Sequence, residues 1–216
     1  MRVDPDYASS PVEPIELVIT APPAIIDREV AALALEYGMP VRRKFSLPAD
    51  ASARTWRFGG GGDRRAEVVF AIQDPGGGIW LHTKRQYPRN LYRLPSGGVN
   101  WHERVHDALF REVREETGLA VQVERFAGLL EYAFHDKGQA AEFASYVFLL
   151  RSQGGRPAPC DDEEIAGFRL VSPTHLMLTA RELRRLPAER GIWGMWRALA
   201  VDLVYDMLTA EEYPDC

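Results

Sequence analysis

The spacing of apolar positions changes period several times along this chain, and each change marks an element. Residues 67–72 form a nearly unbroken apolar run, the pattern of a strand buried on both faces. Asp74, Pro75 and the glycines at 76–78 supply turn chemistry. Residues 79–82 return as a second strand, so 67–82 reads as a hairpin. Residues 103–117 switch to helical spacing, and Gly118 stands where a helix-ending glycine belongs. Alternation resumes at 119–123, then at 125–134 and 142–150, the last two expected to pair with each other. Residues 165–171 are the next strand, stopped by Ser172, Pro173 and Thr174. Ser172 or Thr174 is expected to cap a short helix through residue 178. Residues 193–208 put Trp196, Leu199, Ala200, Leu203, Val204 and Met207 on one side of a final helix. The order predicts an α/β fold in which a mixed sheet is sandwiched by helices.

The N-terminal quarter carries its own small pattern. Residues 15–20 read as a strand, 24–37 as a helix closed by Gly38, and 41–47 as another strand. Residues 1–14 are polar and proline-bearing, a composition expected of a mobile terminus. Residues 49–63 hold four consecutive glycines at 59–62 and read as a linker. The chain therefore divides into 1–63, an N-terminal α/β appendage with a glycine-rich linker, and 64–216, the main domain. An appendage of this size cannot bury a core alone. It is expected to pack on the main domain or on a second subunit, which would make the protein a homodimer.

The helix at 103–117 carries the chemistry. With Glu112 at zero and about 100° per residue, Glu115 falls roughly 60° to one side and Glu116 roughly 40° to the other. Three carboxylates share one face, because positions three and four apart are neighbours. They continue the apolar seam of Val105, Leu109 and Val113, while Arg104, Asp107, Arg111 and Arg114 occupy a separate arc. An acidic run is ordinarily a solvated face. These acids extend the buried seam instead, and they repel one another by a few tenths of about 1 kcal/mol even when exposed. The negative end of the helix dipole disfavours them further. Hard divalent cations such as Mg²⁺ or Mn²⁺ would relieve both costs.

Gly97, Glu103, Arg111, Glu112, Val113, Glu115, Glu116, Gly118 and Leu119 stand at the spacing G-x5-E-x7-R-E-U-x-E-E-x-G-U, with U aliphatic. In this the chain resembles the Nudix box at every fixed position. The resemblance implies a Nudix-type α/β/α sandwich for the main domain. It implies a metal-dependent hydrolase that cuts a diphosphate bond. By the same resemblance Glu112, Glu115 and Glu116 would hold Mg²⁺ or Mn²⁺, joined by the backbone carbonyl before the first box glycine, here that of Ser96. Relatives commonly have glycine at that place, and a backbone ligand tolerates the change. His102 likewise stands where glycine is frequent. Arg111 would orient a glutamate through its guanidinium fork, and Glu103 would be its partner or an indirect metal ligand. The general base in relatives comes from the box, which points to Glu115, or from a later loop. Glu164, at the end of the acidic run 161–164, is the candidate of the second kind, with Glu131 and Glu142 behind it.

Substrate contacts are expected from the basic stretch at 84–93, which interleaves four cations with two tyrosines. Arg85, Tyr87 and Arg93 are its candidates for holding phosphate and stacking a base, against the alternative of a solvated basic loop. The proline that ADP-ribose-cleaving relatives often carry beyond the box is replaced by the region Ala133, Phe134, His135 and Asp136. The coenzyme A and NADH signatures are also missing. The loop at 92–99 and the appendage favour a nucleoside diphosphate derivative of ADP-ribose or nucleotide-sugar type. A nucleoside triphosphate pyrophosphohydrolase and a non-catalytic nucleotide-sensing module are the alternatives. A prenyl diphosphate isomerase of this fold would need a cysteine in the site, and neither Cys160 nor Cys216 stands near a box-like position in the sequence.

Global properties narrow the setting. A net charge of −5 over 216 residues argues against a broad nucleic-acid surface. Two cysteines, one of them terminal, make no disulfide framework. The N-terminus has no basic-then-apolar leader, and no run of about 18 apolar residues suggests a membrane span. A cytoplasmic protein acting on a small molecule, with neither nucleic acid nor membrane as partner, is the expectation.

Overall fold

The computed structural model describes residues 23–49, 54, 64–160 and 164–210. Its elements are α1 (Asp27–Tyr37), β1 (Val41–Pro48), β2 (Arg64–Gln73), β3 (Ile79–Lys84), β4 (Ser96–Asn100), α2 (Val105–Thr117), β5 (Val121–Asp136), β6 (Gln139–Ser152) and β7 (Ile165–Val171). A 3₁₀ turn at Pro173–His175 leads into α3 (Leu176–Arg184), and α4 (Ala188–Ala210) ends the described chain. The strand expected at 15–20 and most of the linker lie outside the described residues.

One mixed sheet organises the fold, in the order β1-β5-β6-β2-β3-β7, with β4 paired to β2 off this path. β1 lies parallel to β5 and β2 parallel to β6; the other pairs are antiparallel. β2 shows why helices cover both faces. Its side chains alternate, and both sets are apolar. Ala66, Val68, Phe70 and Ile72 join one core with Val105, Leu109 and Val113 of α2 and Val30 and Leu33 of α1. Val69 and Ala71 join the other with Leu176, Ala180 and Leu183 of α3 and Trp196, Leu203 and Val204 of α4. The result is the α/β/α sandwich expected. The N-terminal strand β1 extends that same sheet, and α1 packs on the α2 side. Among the described residues no helix is long and apolar enough to cross a membrane.

Several boundaries differ from the sequence reading; the final helix, expected at 193–208, spans Ala188–Ala210. The strands expected at 119–123 and 125–134 are one long strand, β5. Its register with β6 shifts between Val123 and Arg125 and again between Phe126 and Gly128. Those bulges break the alternation that sequence periodicity relies on. The central helix begins at Val105 rather than 103, because Glu103 is tied to the preceding turn. Its N–H donates to the Asn100 carbonyl at 3.2 Å, and its Oε2 accepts from the Asn100 N–H at 3.0 Å. Ser172 stands at the N-cap of the 3₁₀ turn but makes no side-chain cap bond; its hydroxyl and that of Thr174 bond each other at 3.0 Å, and the α-helix follows at residue 176 and runs to 184 rather than 178.

Candidate active site

The site forms where β4, α2 and the end of β3 meet. β4 pairs with β2 and brings Gly97 against α2. A Cβ built on Gly97 would stand 1.7 Å from Glu112 Cδ, so only glycine lets this carboxylate lie on the strand. At the other end of α2, Gly118 adopts the left-handed conformation (φ 63°), and its N–H closes the helix on the Arg114 carbonyl at 3.0 Å. The segment after β6 satisfies two further helix carbonyls. Ala158 N–H donates to Thr117 and Cys160 N–H to Glu115, each at 2.9 Å.

Arg111 is the hub. Its Nε donates to Glu103 Oε1 at 2.7 Å and its Nη2 to Glu103 Oε2 at 2.9 Å. Nη2 also reaches the Gly98 carbonyl at 2.8 Å, and Nη1 donates to Glu112 Oε1 at 2.8 Å and Glu115 Oε2 at 2.9 Å. One fork thus gathers the remote glutamate, two helix glutamates and the glycine strand. The hydrogen bond from Arg111 holds the Glu103 carboxyl below the usual range, and that partnership, Glu103 first, raises the Arg111 guanidinium.

Glu116, one turn beyond Glu112, is buried in the body of the fold and is 1% exposed. Lys84 Nζ lies 3.0 Å from its Oε1, and His82 Nδ1 lies 3.5 Å from its Oε2. Burial pushes the Glu116 carboxyl up to about 7, against the opposing pull of Lys84 and Arg93. Burial, with the cations Arg93, Lys84 and Arg197 nearby, also holds His82 well below its usual range, so the imidazole is neutral. Glu116 Oε2 and both His82 nitrogens have no hydrogen-bond partner. Such orphaned buried polar atoms are costly.

Among the described residues no three acidic, histidine or cysteine side chains converge as a ready cation cage. The box carboxylates are turned onto Arg111 and Lys84 instead. The donor set still fits a hard divalent cation. It is all oxygen, it has a buried unsatisfied carboxylate oxygen on Glu116, and it lies beside a strand whose glycine leaves carboxylate-sized room.

The other sequence candidates divide. Ser96 opens β4, 6% exposed, its hydroxyl accepting from Arg93 Nη1 at 2.9 Å and Arg197 Nη1 at 3.3 Å. Arg93 is not displayed to substrate. It is 4% exposed and spent on the Leu94 carbonyl (2.7 Å), Ser96 and the Tyr87 hydroxyl (2.8 Å). Tyr87, half-buried, packs edge-on against Trp193 with ring centroids 5.1 Å apart. Arg93 is neither an open phosphate contact nor part of a solvated loop, because its backbone bridges to His82 of β3 and its side chain is buried. Arg85 is exposed. Its N–H donates to the Glu164 carbonyl at 3.0 Å, and the Glu164 carboxylate accepts from Gln86 at 2.6 Å. Glu164 therefore stands beside Arg85 at the end of β3, and residues 161–163 lie outside the described residues. Glu131 pairs with Arg42 and Lys44 on the β1 side of the sheet, and Glu142 lies opposite Ala133; neither joins the box carboxylates.

Sequence reading passed over His82 and counted Lys84 only among the cations of the basic stretch. Strand period two puts Trp80, His82 and Lys84 on one face, and Trp80 belongs to the α2 core, so the signal was present. A cleft of about 850 Å³ lies elsewhere, between α1 and residues 101–106, and meets the site only at Glu103.

Comparison with known proteins gives one family. The model of the NUDIX domain matches residues 63–190. The chain is 35% identical over 75 residues to an 8-oxo-dGTP diphosphatase of Buchnera aphidicola subsp. Acyrthosiphon pisum, covering 35% of this chain and 57% of that one. It is 33% identical over 104 residues to an ADP-ribose pyrophosphatase of Methanocaldococcus jannaschii, covering 48% of this chain and 60% of that one. The matches thus span less than two thirds of either relative. Among solved structures, a NUDIX hydrolase from Nitrosomonas europaea aligns with TM-score 0.48 at 19% identity, over 69% of this chain and 91% of the other.

Proposed function

The chain belongs to the Nudix family, and on that premise we propose that it hydrolyses the diphosphate bond of a nucleoside diphosphate joined to another group. An ADP-ribose or nucleotide-sugar type of substrate is the favoured class. The observation that carries this reading is the Arg111 fork, which gathers Glu103, Glu112 and Glu115 beside a buried Glu116 with an oxygen to spare. On this reading Glu112, Glu115, Glu116 and the Ser96 carbonyl hold Mg²⁺ or Mn²⁺. When bound, such ions neutralise diphosphate charge and make water a better nucleophile at neutral pH.

The chain's own residues do the rest. Arg111 keeps the helix carboxylates in a fixed arrangement, and Glu103 fixes Arg111. Water attacks one phosphorus, the bond from that phosphorus to the bridging oxygen breaks, and the water's proton passes to a carboxylate. Glu164 is assigned as that base, beside the exposed Arg85, which would hold a phosphate. Glu115, 32% exposed, is the alternative base, within the box itself. A pH–rate profile of Glu164→Gln separates them: loss of the acidic limb assigns Glu164, and an unchanged profile assigns Glu115.

A second reading, a nucleoside triphosphate pyrophosphohydrolase, is favoured by the similarity to the 8-oxo-dGTP diphosphatase. Phosphate release with Mg²⁺ or Mn²⁺ decides between them. The panel holds ADP-ribose, nucleotide sugars, dinucleoside polyphosphates, NADH, coenzyme A and nucleoside triphosphates, with Glu116→Gln as control. Strong turnover of a diphosphate derivative, lost in the variant, is the expected result. Turnover of triphosphates alone selects the second reading. No turnover, with nucleotide and metal still binding, selects a sensing module.

A further inference from the structure

We propose that Glu29, on the N-terminal helix α1, is a positioning residue for the catalytic helix and its cation site. The inference rests on the metal-dependent reading above and adds a residue outside the 63–190 segment matched by the family.

The catalytic helix α2 starts without a cap of its own. Arg104 occupies the N-cap position and its side chain caps nothing. Backbone N–H groups of a first turn have no partner inside the helix. Glu29 supplies one from elsewhere in the chain: its Oε1 accepts the Val105 N–H at 2.7 Å. A carboxylate there also meets the positive end of the helix dipole.

The other oxygen of Glu29 connects to the site. Oε2 accepts from Arg65 Nη2 at 2.7 Å, and the same Nη2 donates to the Glu103 carbonyl at 2.9 Å. The Glu103 side chain grips Arg111, which holds Glu112 and Glu115. A continuous path of hydrogen bonds therefore runs from α1 to the cation ligands. It is shielded, with the Arg65 side chain 2% and the Glu29 side chain 14% exposed. In such surroundings, breaking a charged partnership leaves the remaining charge uncompensated. A second fastening keeps α1 in register with α2. Tyr37 Oη lies 3.1 Å from His106 Nε2, and the two rings stack with centroids 6.3 Å apart.

Pinning α1 to the domain and positioning the site make different demands. Pinning alone affects stability. Positioning changes cation affinity at temperatures where the protein is fully folded. The test uses the full chain as wild type, Glu29→Ala, Glu29→Gln and Leu208→Ala. Leu208, in the core on the opposite face of the sheet, serves as the stability control. Glu29→Gln keeps an oxygen for Val105 and loses the ion pair with Arg65. Hydrogen exchange reads the first turn of α2, and free Mn²⁺ measured by electron paramagnetic resonance reads cation affinity without any substrate. Steady-state kinetics adds the split between kcat and KM.

In Glu29→Ala the first-turn amides exchange faster, Mn²⁺ binds about tenfold more weakly, as for loss of an outer partner of a metal ligand, and kcat falls while KM holds. Glu29→Gln falls between that variant and wild type. Leu208→Ala lowers the melting temperature and leaves both Mn²⁺ affinity and exchange at α2 as in wild type. Equal Mn²⁺ affinity in wild type and Glu29→Ala overturns the proposal, as does an equal effect of Leu208→Ala. A wild-type protein that binds no Mn²⁺ overturns the metal reading and this inference together, an outcome distinct from equal binding.

Discussion

Lys84, at the end of β3, places its ammonium 3.0 Å from the carboxylate of Glu116, the last acid of α2. The two come from opposite sides of the α2 core, and the carboxylate is 1% exposed. One oxygen of Glu116 is satisfied by this contact while the other has no partner. On the proposed reading, a divalent cation supplied to that oxygen would remove a cost the metal-free fold carries.

That cost sets a pH dependence. Burial raises Glu116 from the ordinary 4.5 to about 7. A carboxyl whose folded value lies above its unfolded value contributes fully below the unfolded value, and the contribution is lost as pH rises through the folded one. Metal-free wild type should therefore lose melting temperature relative to Glu116→Gln between about pH 4.5 and 7. Taking the difference between the two proteins cancels the opposite demand of His82, which must gain a proton on unfolding in acid. A difference that is flat from pH 5 to pH 8 would remove burial as the dominant influence. With metal and substrate, Glu116→Gln should lose turnover by on the order of 100-fold or more.

Arg111→Lys keeps the charge and loses the fork. A lysine ammonium cannot span Glu103, Glu112, Glu115 and the Gly98 carbonyl as the guanidinium does. Turnover should fall by about 10–100-fold, the range seen when groups that orient metal ligands are removed. Turnover within twofold of wild type would reduce Arg111 to a helix ion pair.

Gly97→Ala and Gly98→Ala should part company. The first drives a Cβ into Glu112 at 1.7 Å, whereas the second meets the movable end of Arg64 at 3.1 Å. Overpacking of the first kind costs about 1–3 kcal/mol, or about 2–4 °C of melting temperature per kcal/mol. It should also weaken Mn²⁺ binding. Equal behaviour of the two variants in thermal melts and Mn²⁺ titrations would show that Glu112 has another resting place.

Arg197→Ala should be among the more damaging substitutions. Arg197 Nη1 bonds Glu67 Oε2 at 2.6 Å, and the Glu67 side chain is 4% exposed. Ser145 Oγ, 2.6 Å from Oε1, is the smaller partner left behind. Stranding one member of a buried pair costs about 3–5 kcal/mol. Denaturant unfolding measures this, and Arg197→Met with Glu67→Leu should recover part of the loss. Recovery of none would show that packing of Arg197 over Trp196, 3.8 Å from its ring centre, outweighs the charge.

The layered fold and the box were legible because their signals are local. Apolar runs at 67–72 and 79–82, helical spacing before Gly118 and fixed intervals from Gly97 to Leu119 all lie within short windows. What sequence could not supply was partnership across the fold. Arg93 reads as a phosphate contact because its neighbours are basic, yet its guanidinium is bonded to Tyr87 and Ser96. His82 and Lys84 carried the right parity, but nothing in the strand itself says that Glu116 lies opposite. The two bulges of β5 hid one long strand as two, since each shifts the alternation by a residue. Glu29 and Val105 are 76 positions apart, beyond the reach of any spacing rule.

The hydroxyl of Ser96 receives two guanidinium groups, one from Arg93 three residues before it and one from Arg197, a hundred and one residues after it. The second comes from α4, beyond residue 190, where the family match ends. The recognisable motif is thus narrower than the working unit. A graft of residues 63–190 into another scaffold would carry every box residue and still leave Glu67 facing an empty place and the strand at Ser96 tethered from one side only. In this chain the borders of the candidate site are drawn by hydrogen bonds rather than by the motif.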